Sequence, residues 1–302
     1  MGRRLIVTGA SGFVAGSIIW QAGPEWEVHA LSSKPAPIHR PHLHWHTLDV
    51  LDADELRRVF EHIRPSVVIH TAAIADINFC EANTDTADQV NIVLTRGLVE
   101  LCREGGARMI FASTDTVFDG EKGSYIETDA TGPVNYYGHT KVMAEEFVQE
   151  RLSDWVIARP AIVLGLPFFS EGNSVLVRLL ASLKAGEQVR ALTKEVRTPV
   201  DVVTLGEALL ELAGNSYQGI LHLSGNDRMD RPTFSRLIAQ RMGFPTELIV
   251  PVDSRGLAGR APRPRDVSLD NSKARATLKT QMRGLIDGLE RVLERHPTER
   301  EC

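Results

Sequence analysis

Tyr137 and Lys141 stand four residues apart in a segment whose composition suits a helix. Residues i and i+4 of a helix share one face, so the phenol and the ammonium are neighbours. A free phenol has a pKa of about 10 and is a poor acid or base at neutral pH. Because a nearby cation favours the phenolate, this spacing is typical of a general acid–base pair. An exposed pair of helical side chains without a catalytic role is the alternative.

A second group of polar side chains, Ser113, Thr114 and Asp115, follows the apolar run 109–112. That run predicts a short buried strand of a parallel sheet. Ligands of such sheets bind at the carboxyl ends of the strands, where a hydroxyl can donate a hydrogen bond to a substrate carbonyl. Together with the tyrosine–lysine pair, this strand end predicts a site for proton transfer.

A glycine-rich turn joins a predicted strand at 5–7 to a predicted helix, with the spacing Gly9-x-x-Gly12-x-x-Ala15. Glycine lets the backbone turn tightly and approach a ligand, and a helix N-terminus favours an anion. Strand, turn and helix in this order therefore suit a dinucleotide pyrophosphate, with a turn that binds no ligand as the alternative. The residues expected at the dinucleotide are Gly9, Ser11, Gly12, Phe13 and Val14.

The end of the second predicted strand bears on which dinucleotide binds. A site selective for NAD usually has an acidic residue there, about 20 residues after the turn, to bind the ribose hydroxyl. This chain has Ser32, Ser33 and Lys34 instead, and two hydroxyls with a lysine suit a 2′-phosphate. The sequence therefore predicts NADP(H), with NAD(H) as the alternative cofactor. A polar turn with a solvated lysine is the competing interpretation.

The elements that position these groups alternate between short apolar runs and longer amphipathic stretches. One such stretch, 54–63, has apolar residues at helical spacing, with Asp52 as its expected N-cap and Glu55 three residues later. This repetition predicts the α/β class: a Rossmann-type, doubly wound parallel sheet. The predicted strands lie at 5–7, 27–31, 43–47, 67–69, 109–112, 156–158 and 219–225.

The pattern loosens after about residue 165. A loop at 167–173 and a helix at 174–185 follow, and the Pro/Arg segment 260–265 has no periodicity. We therefore predict an NADP-binding Rossmann domain at residues 1–165, completed by segments near 196–225. A smaller, discontinuous substrate-binding lobe is predicted at 166–302.

Composition and charge exclude several classes of function. A formal net charge of −5 gives no reason to expect nucleic acid as a partner. Cys80, Cys102 and Cys302 are spaced too widely for a zinc motif or a disulfide framework, which predicts a reducing compartment. The apolar run after the N-terminus is too short for a signal peptide, and no run approaches a membrane span. We expect a cytoplasmic protein without a membrane partner.

His42, His44 and His46 alternate along the predicted third strand, which would place three imidazoles on one face of it. Three such groups can bind zinc. However, the third strand is an edge in the common order of this fold, and an exposed edge tolerates histidines. The sequence therefore predicts no metal site, with a zinc ion as the alternative.

The chain resembles the extended short-chain dehydrogenases/reductases over nearly its whole length, and within them the dTDP-4-dehydrorhamnose reductase type. The segment 113–120 is similar to that group's Ser-Thr-Asp-Tyr-Val-Phe-Asp-Gly, and 137–141 matches its Tyr-Gly-x-Thr-Lys. The segments 222–225 and 263–270 resemble its C-terminal signatures.

The resemblance implies an NADPH-dependent reductase that transfers a hydride to a keto group of a sugar nucleotide. It implies a catalytic triad of Thr114, Tyr137 and Lys141, with Tyr137 as the general acid, and it implies that Tyr137 and Lys141 also bind the cofactor. The further residues that it implies at the cofactor are Asp49 and Val50 beside the adenine, with Thr71, Ala72 and Ala73 along the dinucleotide. The substrate is expected at Asp115, Thr116, Arg260 and Arg263. Charged hydrogen bonds from Arg260, Arg263 and Arg265 would suit a diphosphate, and a solvated loop is the alternative.

Two positions depart from the family pattern. Thr116 stands where the reductases have a tyrosine, and Ile162 where they commonly have an aromatic residue, so the resemblance does not specify rhamnose. Related dehydratases have a glutamate at the position of Thr116, so elimination is not expected. The alternative functions are an NADP-binding regulatory subunit, as in the similar methionine adenosyltransferase β subunit, and a sugar-nucleotide epimerase. The expected partner is a small-molecule substrate, and a homodimer is an alternative to a monomer.

Overall fold

The structure is a computed structural model that describes residues 2–169, 174–253 and 259–296. Its strands are β1 (Arg3–Thr8), β2 (Trp26–Ser32), β3 (Leu43–Thr47), β4 (Val67–His70), β5 (Arg108–Ala112), β6 (Trp155–Pro160), β7 (Val163–Leu164), β8 (Val189–Leu192), β9 (Val196–Arg197), β10 (Val200–Asp201), β11 (Gly219–Leu223), β12 (Met229–Asp230) and β13 (Ile249–Val252). Within the described ranges, seven of them form one parallel sheet in the order β11-β6-β5-β4-β1-β2-β3.

Helices connect these strands and cover the sheet. They are α1 (Phe13–Gln21), α2 (Ala53–Ile63), α3 (Ile77–Ala82), α4 (Thr84–Asp88), α5 (Leu94–Gly105), α6 (Tyr136–Arg151), α7 (Val175–Lys184), α8 (Val202–Gly214), α9 (Arg231–Arg241), α10 (Ser272–Thr277) and α11 (Leu285–Arg295). A π-helical turn at Gln89–Val93 joins α4 to α5, and 3-10 turns occupy Asp115–Val117 and Thr246–Leu248. Each of the helices in the described ranges is too short or too polar to cross a bilayer.

The central strands are apolar on both faces because helices pack against both. In β1, Leu5 and Val7 belong to a core layer that includes α1 and α8, whereas Ile6 faces a second layer with α2, α5 and α6. This alternation follows from the two-residue period of a strand. Each fully buried aliphatic side chain of this kind contributes about 1.5–3 kcal/mol to the stability of the fold. The two layers therefore hold in place the carboxyl ends of the strands, where the polar residues lie.

Short strand pairs and helices form the remaining part of the chain. β7 pairs with β10 and β8 with β13 in parallel, and β9 pairs with β12 in the antiparallel direction. Helices α7, α9 and α11 enclose a third apolar cluster, to which Leu176, Phe234 and Leu289 belong. β11 joins the large sheet and α8 packs on α1, so residues beyond 165 also contribute to the layers around that sheet. The domain boundary near residue 165 stays a prediction.

The predicted doubly wound parallel sheet is confirmed, and β3 is its edge. The predicted start of α2 is also confirmed, since the Asp52 carboxylate accepts hydrogen bonds from the backbone N–H groups of Asp54 and Glu55. The histidine prediction needs a correction. His42 precedes β3 in a left-handed conformation with φ of 64°, so it does not continue the strand alternation of His44 and His46. Residues 170–173 of the predicted loop, and Cys302, lie outside the described residues.

Candidate active site

The end of β5 and the start of α6 bring the predicted catalytic side chains to one edge of the sheet. The Asn135 side chain accepts a hydrogen bond from the Gly138 N–H at 2.9 Å, which starts α6 and places Tyr137 in its first turn. Tyr137 and Thr114 are both buried, and Lys141 lies one turn further along α6, also buried. The Thr114 hydroxyl lies 3.1 Å from the Thr116 hydroxyl and accepts a hydrogen bond from the Thr116 N–H.

Burial governs the protonation of Tyr137. Removal from water raises the pKa of the phenol well above its usual range, the Thr114 hydroxyl opposes this increase, and the negative charge of Asp115 reinforces it. The spacing of Tyr137 and Lys141 led us to expect a lowered pKa. That direction is wrong for the ligand-free protein, because desolvation is the largest cause acting on the pKa of the phenol and Lys141 is not among the groups that lower it. Tyr137 is therefore a neutral phenol, the form that can donate a proton.

Burial shifts the pKa of Lys141 in the opposite direction, downwards. Desolvation lowers the pKa of its ammonium to about 7, although the charge of Glu145 opposes the decrease. The Nζ atom lies 4.1 Å from the centre of the Phe111 ring, where the π face offers a partial substitute for water. At neutral pH the lysine is divided between its charged and neutral forms, so a ligand that brings negative charge would favour the ammonium.

A buried ion pair fixes α6 against the sheet. Glu145 and Arg159 are bonded in bidentate fashion, with Nε–Oε1 and Nη2–Oε2 distances of 2.9 and 2.6 Å. The Ser113 hydroxyl donates to the same carboxylate. Because Ser113 follows β5 and Arg159 lies in β6, one carboxylate connects the helix to both strands.

The glycine turn forms one wall of a cavity of about 260 Å³ at the carboxyl ends of β1, β2 and β4. Gly9 has φ of +67°, and a Cβ atom there would approach the Ala72 Cα to 2.8 Å, so this position requires glycine. The Gly12 N-cap begins α1 and has no side chain to obstruct its N-terminus. These features fit a pyrophosphate. The lining residues are Gly9, Ser11, Gly12, Leu31, Ser32, Ser33, Val50, Thr71, Ala72 and Ala73.

Six of the predicted cofactor residues do not line this cavity, and two of them are the candidate catalytic residues Tyr137 and Lys141. Phe13 and Val14 form the first turn of α1, and Lys34 and Asp49 are exposed near the ends of β2 and β3. The Lys34 N–H donates to the Ser32 hydroxyl at 3.0 Å, so Ser32 is engaged in shaping the turn.

Asp115 lies beside a buried arginine that the sequence analysis missed. The Arg197 Nε atom is 3.6 Å from the Asp115 Oδ2 atom, and both side chains are buried. Burial raises the pKa of Asp115 to about 6, and the charge of Arg197 opposes this increase. The pair therefore connects the strand end of the candidate catalytic residues to β9.

Arg197 belongs to a cluster in which, among the described residues, arginine side chains outnumber the carboxylates that interact with them. The Arg260 Nη1 atom lies 2.6 Å from the Glu195 Oε1 atom. Arg231 is buried deeply enough that desolvation, with neighbouring arginines, lowers its pKa to about 10, although Glu195 opposes the decrease. Its Nη1 atom is buried without a hydrogen-bond partner. The arginines that interact in this cluster are Arg178, Arg197, Arg231, Arg260 and Arg263.

The predicted substrate-binding arginines Arg260, Arg263 and Arg265 differ in whether they belong to this cluster. Arg263 is partly buried and its Nη2 atom donates to the Asn78 side chain at 3.1 Å. The Asn135 side chain donates to the Pro262 carbonyl at 3.2 Å, which places this segment beside the start of α6. Arg265 is exposed. Arg260 and Arg263 therefore join the cationic cluster next to the candidate catalytic residues, and Arg265 does not.

Sequence reasoning missed most of the supporting charges. Glu145 had a usable signal, because it stands four residues after Lys141 on the same helical face. Arg197 and Arg231 had no local signal, since they reach the cluster from β9 and α9, far apart in the sequence.

Most of the chain is similar to known proteins, both in sequence and in structure. A family profile described as "RmlD substrate binding domain" matches residues 3–297. Methionine adenosyltransferase 2 subunit beta of Rattus norvegicus is 26% identical, covering 90% of this chain and 81% of that protein. A probable low-salt glycan biosynthesis reductase of Haloferax volcanii is 29% identical, covering 94% and 95%. The crystal structure of dTDP-4-dehydrorhamnose reductase from Bacillus anthracis in complex with NADP has a TM-score of 0.87 and 25% identity, covering 97% and 99%.

Lys141→Met is expected to stabilise the ligand-free protein most at or below neutral pH. The pKa of Lys141 falls from 10.5 to about 7 on folding. The folded chain therefore binds this proton less tightly than the unfolded chain does, which penalises folding below about pH 10 and most fully below about pH 7.

Thermal unfolding at about pH 6.5 and about pH 9.5 measures this difference, since the penalty removed by Lys141→Met shrinks as the pH rises. Lys273→Met, at an exposed lysine, is the matched control and should show no such trend. A stabilisation by Lys141→Met that is equal at both pH values would contradict the burial of a titrating ammonium.

Proposed function

The chain belongs to the RmlD substrate binding domain family, and on that basis we propose that it is an NADPH-dependent reductase of sugar nucleotides. It reduces a keto group to an alcohol with Tyr137 as the general acid. The observation that carries this proposal is the buried set of Thr114, Tyr137 and Lys141 at the strand edge that also holds the glycine turn. The NADP complex of the Bacillus anthracis reductase supports the choice of cofactor.

Each member of the set has a distinct part in the reaction. NADPH, when bound, supplies the hydride for the keto carbon. Tyr137 donates its proton to the carbonyl oxygen as negative charge develops there, and burial keeps this phenol protonated beforehand. The Thr114 hydroxyl orients the carbonyl by a hydrogen bond. Lys141 stabilises the phenolate that remains after the transfer and binds the nicotinamide ribose.

The cationic cluster favours an anionic, phosphate-bearing substrate. Among the described residues, Arg197, Arg231, Arg260 and Arg263 interact there, and the carboxylates that act on them are those of Glu195, Asp115 and Asp76. Partly buried positive charge that exceeds the neighbouring negative charge is unfavourable unless an anion compensates it. A guanidinium fork matches phosphate oxygens well, so a diphosphate would fit beside Arg231 and Arg263. A sugar nucleotide brings such a diphosphate together with a reducible sugar.

A regulatory subunit is the second candidate. The observation that favours it is the similarity to methionine adenosyltransferase 2 subunit beta over 90% of this chain. In that case the dinucleotide site would serve binding and assembly, and Tyr137 and Lys141 would contact the cofactor without turnover. Enzymatic turnover separates the two candidates.

NADPH oxidation in the presence of a panel of keto-sugar nucleotides tests the proposal. The reductase predicts substrate-dependent loss of NADPH absorbance with at least one member of the panel. If NADPH binds but no keto-sugar nucleotide is reduced, the regulatory function takes precedence.

Tyr137→Phe is expected to lower kcat by at least about a hundredfold, the usual scale of general acid catalysis. NADPH affinity should change far less, because the lost hydroxyl acts mainly on the substrate. Tyr136→Phe is the matched control, since the adjacent Tyr136 hydroxyl donates to Asp88 instead. Undiminished turnover in Tyr137→Phe would show that another group is the acid.

NADPH is expected to bind at least about tenfold more tightly than NADH, a difference of about 1.4 kcal/mol. The reason is that Ser33 and Lys34 are exposed at the end of β2, where no carboxylate repels a 2′-phosphate. Calorimetric titration of both cofactors measures the ratio, and Ser33→Asp should reduce it. Equal affinities in the unmodified protein would remove this argument.

Arg263→Ala is expected to weaken binding of a nucleoside diphosphate such as dTDP by about 1.5–3 kcal/mol, the contribution of a hydrogen bond to a charged group. NADPH affinity should stay unchanged, because its pyrophosphate is expected at the glycine turn. Arg265→Ala is the matched control, being exposed in the same segment. If both variants bind the nucleotide like the parent protein, the cluster is not the diphosphate site.

A further inference from the structure

The paired strands β2 and β3 carry a cluster of histidines outside the candidate active site. The parallel register pairs His29 directly with His44, and the two-residue period of a strand adds Glu27 and His46 to the same face. Trp45, which points to the other face, packs against the apolar core. The register therefore collects four potential metal ligands on one face at the edge of the sheet.

Three of these side chains converge on a common point. The Glu27 Oε1 atom lies 3.6 Å from the His29 Nε2 atom and 3.5 Å from the His44 Nε2 atom. The three ligand atoms all lie within 4.8 Å of one another. In a tetrahedral zinc site with bonds of about 2.0–2.2 Å, ligand atoms are about 3.4 Å apart. The two distances from the Glu27 Oε1 atom already match this value. The half-exposed His44 ring is stacked on His29 and can turn to shorten the third distance, between the two Nε2 atoms.

His29 gives an independent indication of a ligand. Its side chain is buried, and its Nε2 atom has no hydrogen-bond partner, which is unusual for a buried polar atom. Its Nδ1 atom lies 3.0 Å from the His46 Nε2 atom. If His29 donates its Nδ1 proton to His46, the Nε2 lone pair is left free, 3.6 Å from the Glu27 Oε1 atom. Metal-binding histidines are oriented in this way by a partner on the other ring nitrogen.

We propose that Glu27, His29 and His44 bind a divalent transition-metal ion, Zn²⁺ in particular, and that His46 orients His29. Two imidazoles and one carboxylate are ligands that suit zinc and leave a fourth position for water. The set differs from the His42, His44 and His46 alternative of the sequence analysis, because its other members come from the neighbouring strand.

This site is separate from the proposed reaction. Glu27 and His29 lie in the first half of β2, whereas Ser32 and Ser33, which line the cofactor cavity, follow at its carboxyl end. A bound ion would connect the edge strand β3 to β2. Its expected consequence is therefore greater stability of this sheet edge, without participation in hydride or proton transfer.

Titration of chelator-treated protein with ZnCl₂ tests the proposal by calorimetry and thermal unfolding. We expect one equivalent to bind with a Kd of about 10 µM or lower and to raise Tm, because the ion binds the folded state. His44→Ala and Glu27→Gln should each weaken binding at least about tenfold, and His46→Ala about ten- to a hundredfold as a residue that orients a ligand. His44 is half-exposed, so its replacement leaves the core packing intact.

His39→Ala, at an exposed histidine outside the cluster, is the matched control and should bind zinc like the parent protein. Absence of saturable binding at one equivalent would overturn the proposal. Unchanged zinc affinity in both His44→Ala and Glu27→Gln would overturn it as well. Equal weakening by His39→Ala would show that surface histidines bind the ion without a defined site.

Discussion

The Glu145 carboxylate is the point at which the elements of the candidate active site are joined. It lies in α6 and accepts hydrogen bonds from Arg159 of β6 and from Ser113 at the end of β5. Lys141 is one turn and Tyr137 two turns earlier in the same helix, and Thr114 follows Ser113. Because removing one partner of a buried ion pair leaves an uncompensated charge, the three contacts hold helix and strands in one relative position.

Burial then sets the charge state of the groups held there. Desolvation raises the pKa of Tyr137, lowers that of Lys141 to about 7 and lowers that of His70 to about 3. In the ligand-free protein Tyr137 and His70 are therefore uncharged at neutral pH, and Lys141 is only partly charged. The neighbouring cluster differs, because arginine keeps its proton even when buried. A substrate with an anionic end and a neutral carbonyl would match this arrangement, with its anionic end at the arginine cluster and its carbonyl at Tyr137.

The helices and strands could be predicted from the sequence, but the side-chain contacts between them could not. Strand periodicity and the Asp52 cap are local, and they predicted β1 to β6 and α2 close to their observed bounds. The helical spacing of Tyr137 and Lys141 predicted proximity, but it could not predict how strongly burial would shift their pKa values. Arg197 enters from a strand far along the chain. The pairing of His29 with His44 depends on the register between two strands, which the pattern of one strand does not contain.

A double-mutant cycle on the buried ion pair tests the central claim most directly. The free energy of unfolding is measured for Glu145→Gln, Arg159→Met and the double variant. Either single change is expected to cost about 3–5 kcal/mol, and the double variant should lose clearly less than the sum, because no uncompensated charge then remains. Single losses below about 0.5 kcal/mol, or losses that add, would show that the carboxylate does not join helix and sheet as described.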